Sequence, residues 1–261
     1  MKLSQMQDIG GVRAVVPSEK DVRKLVAEYK SSKFKHRLIR EKDYISNPRR
    51  EDGYRSYHLI YEYNNPKAPE YKGLALELQL RTKLQHSWAT AVETVGFILN
   101  QALKSRHGDK EWLEFFATVS AAFAREEGTE PVPEFEKMSV EKTYKAVAEI
   151  NQRLGALNTI RGFPVAIELI NNREGTRFFY YLIRLDLEQR TISMRGFPKD
   201  QLNAANTAYS DAEKEIAESN KNIELVLVSA GKIRSLRKAY PNFFLDSKDF
   251  IDQVERVIAK A

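Results

Sequence analysis

An alternating segment near residue 80 combines the residue types that phosphate chemistry uses. From Leu74 to Thr82 every second residue up to position 80 is a leucine, and the positions between carry Glu77, Gln79 and Arg81. Neighbouring side chains of a strand point to opposite faces, so every second residue lies on the same face. Glu77, Gln79 and Arg81 are therefore predicted to share one face, opposite the leucines. Such a face can hold a metal ion and phosphate oxygens together. The pattern also fits a strand whose outer face is simply polar.

A second polar cluster leaves a loop upstream. Residues 53–58 read GYRSYH and follow the turn-forming residues 47–52. Tyr54, Arg55 and His58 are therefore expected to leave the loop together and to enter a strand. Taken alone, a histidine in such a strand is more often held by a structural hydrogen bond than by a ligand.

A third cluster lies near the start of the chain. Residues 8–13 read DIGGVR, so Asp8 opens an apolar run whose two glycines let the backbone approach a ligand or a strand closely.

Phosphoryl transfer needs Mg²⁺ held by carboxylates, and cations near the spreading phosphate charge. Asp8 and Glu77 suit the metal ion. The arginines that suit the phosphates are Arg13, Arg55 and Arg81.

In their order along the chain, the three clusters resemble the motifs of the synthetase domain of RelA/SpoT nucleotidyltransferases, over roughly residues 4–100. The resemblance implies that Asp8 and Glu77 bind Mg²⁺ and are catalytic, that Tyr54 stacks on the acceptor purine, and that His58 lies beside the phosphates. The implied reaction moves pyrophosphate from ATP to the 3′-hydroxyl of GDP or GTP and forms guanosine tetraphosphate (ppGpp). The residues predicted to bind nucleotide are Arg13, Tyr54, Arg55, His58, Gln79 and Arg81.

Two roles of Glu77 stay open at this point. Besides holding the metal ion, Glu77 could accept the proton of the attacking hydroxyl, although a metal-bound carboxylate is a weak base. The sequence does not separate these roles.

The chain departs from the family pattern in two places. Family members carry a helical segment and a basic ATP-holding motif before the first motif, whereas only seven residues precede Asp8 here. We expect either a reading frame whose true start lies upstream or a fragment that binds nucleotide, or a partner protein, without turnover. The loop over residues 48–53 ends in acidic residues and is about one residue longer than usual, which leaves the preference for the acceptor purine open.

A basic segment precedes the acceptor loop. Residues 30–50 hold eight lysines and arginines against two acids, which accounts for the whole formal net charge of +6. Such a segment attracts a polyanion, either a nucleotide phosphate or an RNA backbone. A toxin-type enzyme that transfers pyrophosphate to the 3′ end of tRNA is therefore an alternative function. A solvated basic strand at the edge of a sheet would give the same composition.

Composition narrows the class of protein. At 261 residues and 42% hydrophobic content, the chain can bury one large core and a second small one. It has no cysteine, so disulfides, thiolate metal sites and a cysteine nucleophile are excluded. No apolar run is long enough for a membrane span and no signal peptide is visible, so we expect no membrane association and a cytoplasmic location.

Periodicity predicts an α/β (α+β) fold, in which a helix-flanked sheet is followed by a smaller C-terminal α/β module. The resemblance implies that this sheet is mixed and of nucleotidyltransferase type. The predicted domains are a synthetase domain over residues 1–127, a linker and helix over 128–160, and a C-terminal module over 161–261. The strands predicted in the first domain cover residues 9–16, 34–45, 55–63 and 73–82. The helices predicted in the first two domains run from Ser18 to about Lys30, from Lys83 to about residue 99, from Asp109 to Arg125 and from Ser139 to Asn158.

The C-terminal module carries no set of catalytic or metal-binding residues, so we expect it to regulate the enzyme. Its predicted elements are strands over residues 178–187, 191–195 and 223–229, and helices over 199–219, 232–239 and 247–261. No histidine is followed by an aspartate, which argues against the hydrolase domain of bifunctional family members. The arrangement resembles fused toxin–antitoxin relatives in which such a module restrains the enzyme and senses a phage or regulatory protein.

Overall fold

The computed structural model describes residues 10–98, 110–162, 178–186, 189, 191–219, 223–229 and 243–261. The chain divides into two compact units, which are described separately below. The first comprises Met1–Ala89 and Phe116–Tyr144, and the second comprises Thr90–Phe115 and Lys145–Ala261. The predicted α/β class is confirmed, whereas the predicted domain boundaries stay a prediction. No described helix is long and apolar enough to cross a membrane.

The first unit is built on a four-stranded mixed sheet. Its strands are β1 (Gly10–Val16), β2 (Arg37–Asp43), β3 (Tyr57–Glu62) and β4 (Ala75–Thr82), and all four match predicted strands. The spatial order is β1-β4-β3-β2, with β1 parallel to β4 and the other pairs antiparallel. The parallel pair joins the first and last sequence motifs side by side.

Helices flank the motif strands of this unit. Helix α1 (Glu19–Ser31) begins after Ser18, whose hydroxyl accepts from the backbone N–H of Asp21, as the sequence predicts. Helix α2 (Lys83–Ile98) follows β4 without a connecting loop, and helix α3 (Lys110–Glu127) comes next. The indole N–H of Trp88 donates to the carbonyl of Phe116 at 2.8 Å, which ties α2 to α3.

One face of the sheet forms the core. The alternating leucines of β4 bury Leu78 and Leu80 against Leu59 of β3 and against Val22 and Val26 of α1. Since side chains alternate along a strand, burial of these leucines turns Glu77, Gln79 and Arg81 to the opposite face. The core therefore fixes which residues of β4 are available for chemistry.

The second unit contains a three-stranded antiparallel sheet. Its strands are β5 (Phe178–Asp186), β6 (Thr191–Pro198) and β7 (Ile223–Ser229), in the order β6-β5-β7. Helix α5 (Leu202–Ser219) packs on one face of it, where Leu182, Phe197 and Ala205 are buried together. The chain ends in helix α6 (Phe243–Ile258). The helix predicted over residues 232–239 lies outside the described residues.

Helix α4 (Val140–Leu154) differs from the predicted helix, which was expected to continue to Asn158. The helix stops because Gly155 adopts a φ of 64°, a left-handed conformation that ends helices, and helical structure resumes over residues 156–162. The side chain of Asn151 accepts from the backbone N–H of Leu157 at 3.0 Å and stabilises this break. In the second unit, α5 also begins later than predicted and α6 earlier.

Two glycines with positive φ provide a matched test of the loop that precedes β3. Gly53 has φ 77° and a Cβ placed there would lie 2.8 Å from Cβ of Ser120, whereas Gly73 has φ 88° and open space. Gly53→Ala is expected to lower the free energy of unfolding by about 2–4 kcal/mol, since backbone strain and overpacking add. Gly73→Ala should cost only about 1–2 kcal/mol, because backbone strain alone applies there. Equal losses in urea denaturation would contradict the predicted contact between Gly53 and Ser120.

Candidate active site

The polar face of the first sheet brings together residues from three strands. In the register of the sheet, Gln79 of β4 is the partner of His58 of β3 on one side and of Arg13 of β1 on the other. Glu77 and Arg81 flank Gln79 on the same face. Five of the residues that the sequence predicts for the site therefore share one surface, as the alternation implies.

Five side chains on this surface form a closed ring of hydrogen bonds. Nδ1 of His58 lies 2.7 Å from Oε1 of Glu77, and its Nε2 lies 2.8 Å from the hydroxyl of Tyr54. Nη2 of Arg81 donates to that hydroxyl at 2.8 Å and to Oε1 of Gln79 at 3.0 Å. The amide of Gln79 closes the ring by donating to Oε2 of Glu77 at 2.7 Å.

The ring has one consistent direction of donation. A guanidinium can only donate, so the Tyr54 hydroxyl accepts from Arg81 and is left to donate to Nε2 of His58. We therefore assign the proton of His58 to Nδ1, from which it points at Glu77. Both branches of the ring end on the same carboxylate. The hydrogen bond from His58 lowers the pKa of Glu77, the bond from Gln79 adds to this effect, and partial burial opposes it. Glu77 is ionised at neutral pH.

Arg81 retains an unused donor. Its side chain is buried, and Nη1 has no hydrogen-bond partner among the described residues, although Nη2 makes the two bonds given above. Because a buried donor without a partner costs free energy, this atom marks a place for an acceptor such as a phosphate oxygen. Arg13 lies on the neighbouring strand with Nε 3.4 Å from Oε1 of Gln79, and it is exposed.

His86, which the sequence analysis did not select, lies near these arginines. It stands in the first turn of α2, five residues after Arg81. The pKa of His86 is lowered to about 4, chiefly by burial and in addition by the positive charges of Arg13 and Arg81. His86 is therefore neutral at physiological pH. The signal in the sequence is its place directly after the last motif, at the start of a helix without a preceding loop.

Tyr54 is placed in the site, but its ring is not free. Only 8% of Tyr54 is exposed. The guanidinium of Arg49 lies over the ring, with Cζ 4.8 Å from the centroid, and Cζ of Arg81 lies 5.3 Å from it. The predicted stacking platform is thus present and covered.

Arg55 is held away from the ring by a second cluster. Its side chain is 3% exposed and its Nη1 lies 3.0 Å from Oε2 of Glu127 at the end of α3. Burial lowers the pKa of Arg55, and the charge of Glu127 opposes this effect. Glu127 also accepts from the hydroxyl of Thr82 and, at 3.1 Å, from the amide of Gln85. The arginine predicted to hold phosphate therefore makes a buried ion pair that joins two motifs to α3.

Asp8 lies outside the described residues, so its approach to Glu77 stays a prediction. Within the described part of the chain, no group of three or more histidines, cysteines and acids could hold a metal ion. Glu77 offers one ionised carboxylate, the oxygen donor type that Mg²⁺ prefers. The residues described here thus fit one half of the predicted pair of ligands.

Part of the basic segment is neutralised by ion pairs. Lys30 pairs with Glu41 at 2.7 Å, Arg37 pairs with Glu62 at 2.6 Å, and Arg49 pairs with Asp52. The pairs that include Lys30 and Arg37 are largely exposed, where ion pairs contribute little stability. The positive charge that this segment offers a polyanion is smaller than the sequence count implies.

Comparison with known proteins finds matches to the N-terminal part of the chain, which contains these motifs. Residues 1–95 match the family model described as "Region found in RelA / SpoT proteins". Two curated relatives from Bacillus subtilis (strain 168) are GTP pyrophosphokinase YjbM, 30% identical over 96 residues, and GTP pyrophosphokinase YwaC, 30% identical over 105 residues. The matches cover 37% and 40% of this chain, and 44% and 49% of the relatives. The chain therefore spans less than half the length of either relative.

Solved structures of small alarmone synthetases are also similar in part. Small alarmone synthetase 1 from Bacillus subtilis, bound to its product pppGpp, matches with a TM-score of 0.39 and 22% identity, over 49% of this chain and 64% of that one. Small alarmone synthetase 2 from Bacillus subtilis matches with a TM-score of 0.41 and 25% identity, over 49% of this chain and 67% of that one.

The ion pair between Arg55 and Glu127 can be tested by a double-mutant cycle. Arg55→Met leaves the buried charge of Glu127 without its partner, and Glu127→Gln leaves the buried charge of Arg55 without its partner. Each substitution is therefore expected to lower the free energy of unfolding by about 3–5 kcal/mol. The double variant buries neither charge and should be more stable than either single variant. Glu130→Ala, at an exposed glutamate nearby, serves as the control. Strictly additive losses in the cycle would show that the two side chains act independently.

Proposed function

The chain carries a RelA/SpoT-type region in residues 1–95, and from this premise we propose that it transfers pyrophosphate from ATP to the 3′-hydroxyl of GDP or GTP. The observation that carries this proposal is the ring that ends on Glu77. It brings together an ionised carboxylate, an arginine and an aromatic residue, and Arg13 lies beside it on the neighbouring strand. These are the groups that phosphoryl transfer to a nucleoside needs.

Glu77 is proposed to hold Mg²⁺ together with Asp8, and the ion when bound would offset charge on the transferred phosphates. The donors that converge on Glu77 fit this role, because His58 and Gln79 fix the carboxylate and keep it ionised. The lowered pKa of Glu77 makes it a weak base. The structure therefore favours metal binding over proton abstraction as the main role of this residue.

Arg81 and Arg13 are proposed to bind phosphate oxygens. Nη1 of Arg81 supplies a donor that the protein itself leaves unsatisfied, in a buried position where a charged hydrogen bond is strong. Arg13 is exposed on the adjacent strand and can reach a bound nucleotide. Neutral His86 adds no charge between them. In this proposal, Arg55 does not contact phosphate. It stabilises the loop that precedes β3 through its ion pair with Glu127.

Tyr54 and His58 are proposed to serve the acceptor. The ring of Tyr54 would stack on the purine, an interaction that contributes about 1–3 kcal/mol per base. His58 joins the hydroxyl of Tyr54 to Glu77, so the acceptor base and the reacting centre are connected through one imidazole. This connection sets the distance between the stacked base and the carboxylate.

Transfer to the 3′ end of tRNA is the second candidate. It uses the same site, and exposed basic residues of the segment over residues 30–50, including Lys33, Lys35 and Arg40, favour it. Binding of nucleotide or a partner without turnover is the third. For the C-terminal module over residues 161–261, we propose a regulatory role that includes contact with a phage or other regulatory protein.

A single assay separates these functions. Purified protein is given ATP labelled in its terminal phosphates together with GDP and tRNA, and labelled products are separated. We expect label on the guanine nucleotide, and Glu77→Gln or Asp8→Asn should reduce the rate by at least about a hundredfold, since each removes one carboxylate from the metal site. Glu70→Gln, at an exposed glutamate, is the control.

Two results would count against this assignment. Label on tRNA alone would move the protein to the second candidate. A rate within about tenfold of wild type in both carboxylate variants would refute the metal site.

A further inference from the structure

Arg49 occupies the place where an acceptor base would have to stack. A ring stacked between Tyr54 and another planar group needs about 3.5 Å on each side, or about 7 Å in all. The guanidinium of Arg49 lies only 4.8 Å from the ring centroid of Tyr54. A base therefore cannot enter this face of Tyr54 while Arg49 remains on it.

Asp52 holds Arg49 in this position. Nε of Arg49 donates to Oδ1 of Asp52 at 2.9 Å, and Nη2 donates to Oδ2, so the pair has the two-pronged form. Asp52 is only 1% exposed, and Oδ1 also accepts from the backbone N–H of Tyr54 at 3.0 Å. The carboxylate is thus fixed to the backbone beside the Tyr54 ring, independently of Arg49.

The loop itself is closed by backbone hydrogen bonds. The N–H of Arg49 donates to the carbonyl of Tyr54 at 3.1 Å, and the N–H of Gly53 donates to the carbonyl of Arg49 at 2.8 Å. These bonds involve no side chain of Arg49. Its guanidinium can therefore leave while Asp52 and Tyr54 keep their places.

The departure of Arg49 leaves a defined vacancy. What remains is an aromatic face beside a buried carboxylate that has lost its cation, which is a costly arrangement unless new donors arrive. The ligand that restores it must be planar, must lie on the ring, and must present two adjacent N–H donors at one edge. Guanine has such an edge in N1–H and the 2-amino group, whereas the corresponding edge of adenine has an amino group beside the acceptor N1.

We propose that Arg49 is an internal stand-in for guanine, which closes the acceptor site until a guanine nucleotide displaces it and takes over its bonds to Asp52. This inference rests on the proposed function and deepens it. It makes Asp52 the residue that selects guanine and Arg49 the residue that gates access. It also favours a guanine nucleotide over the terminal adenosine of tRNA as the acceptor.

The test is binding measured by calorimetry without ATP, so that transfer is not required. GDP, IDP and ADP are titrated into the wild-type protein and into Arg49→Ala. We expect GDP to bind the wild type about tenfold or more tighter than IDP, which lacks the 2-amino group, and ADP to bind more weakly still. Arg49→Ala should increase the affinity for GDP by about fivefold or more, since no internal ligand has to be displaced.

Two further variants keep the result interpretable. Arg49→Lys retains a cation beside Asp52 and so protects the loop against unfolding. It lacks the planar two-pronged guanidinium, and it should increase the affinity for GDP by a smaller factor. Asp52→Asn should reduce the preference for GDP over ADP by about tenfold or more, because an amide has one acceptor oxygen and would turn its own N–H donors toward one of the two donors of guanine. Arg50→Ala removes an exposed charge from the same loop and should change the affinities for GDP and ADP equally.

The outcomes separate this inference from the proposed function. Weaker or unchanged binding of GDP by both Arg49 variants would overturn the inference even if the protein synthesises ppGpp. Tighter and selective binding without transfer would support the inference and count against the enzymatic function. Failure of every variant to bind GDP would overturn both.

Discussion

The site depends on one ionised carboxylate toward which buried donors are directed. Glu77 accepts hydrogen bonds from Nδ1 of His58 and from the amide of Gln79. These two side chains are in turn hydrogen-bonded to Tyr54 and Arg81. A half-buried anion is stable only when its lone pairs are satisfied, so the positions of the other four side chains follow from its charge. Removing that charge would leave the donors of His58 and Gln79 without the anionic acceptor that they share.

The sequence predicts the face of β4 well, because a strand that buries Leu78 and Leu80 has no other way to orient Glu77, Gln79 and Arg81. The strands and most element boundaries follow from the same alternation and from turn residues. What the periodicity cannot supply is the identity of partners that are distant in the chain.

Arg55 illustrates that limit. Its motif context predicts a phosphate contact, yet its charge is balanced by Glu127, which lies 72 positions further along and bears no local mark of its role. The cover on Tyr54 is missed for a related reason. Arg49 and Asp52 are close in sequence, but a turn-forming loop of charged residues looks the same whether its ions face water or an aromatic ring.

Glu127 also bears on how far the functional unit extends. The match to the family ends at residue 95, but this glutamate joins Arg55 of the second motif to Thr82 of the third from the last residue of α3. The matched region thus contains the three motifs, whereas the tertiary contacts show how much of the chain is required to hold the second and third in place. A fragment cut at the edge of the matched region would retain every motif and lose the acid that pairs with the buried arginine.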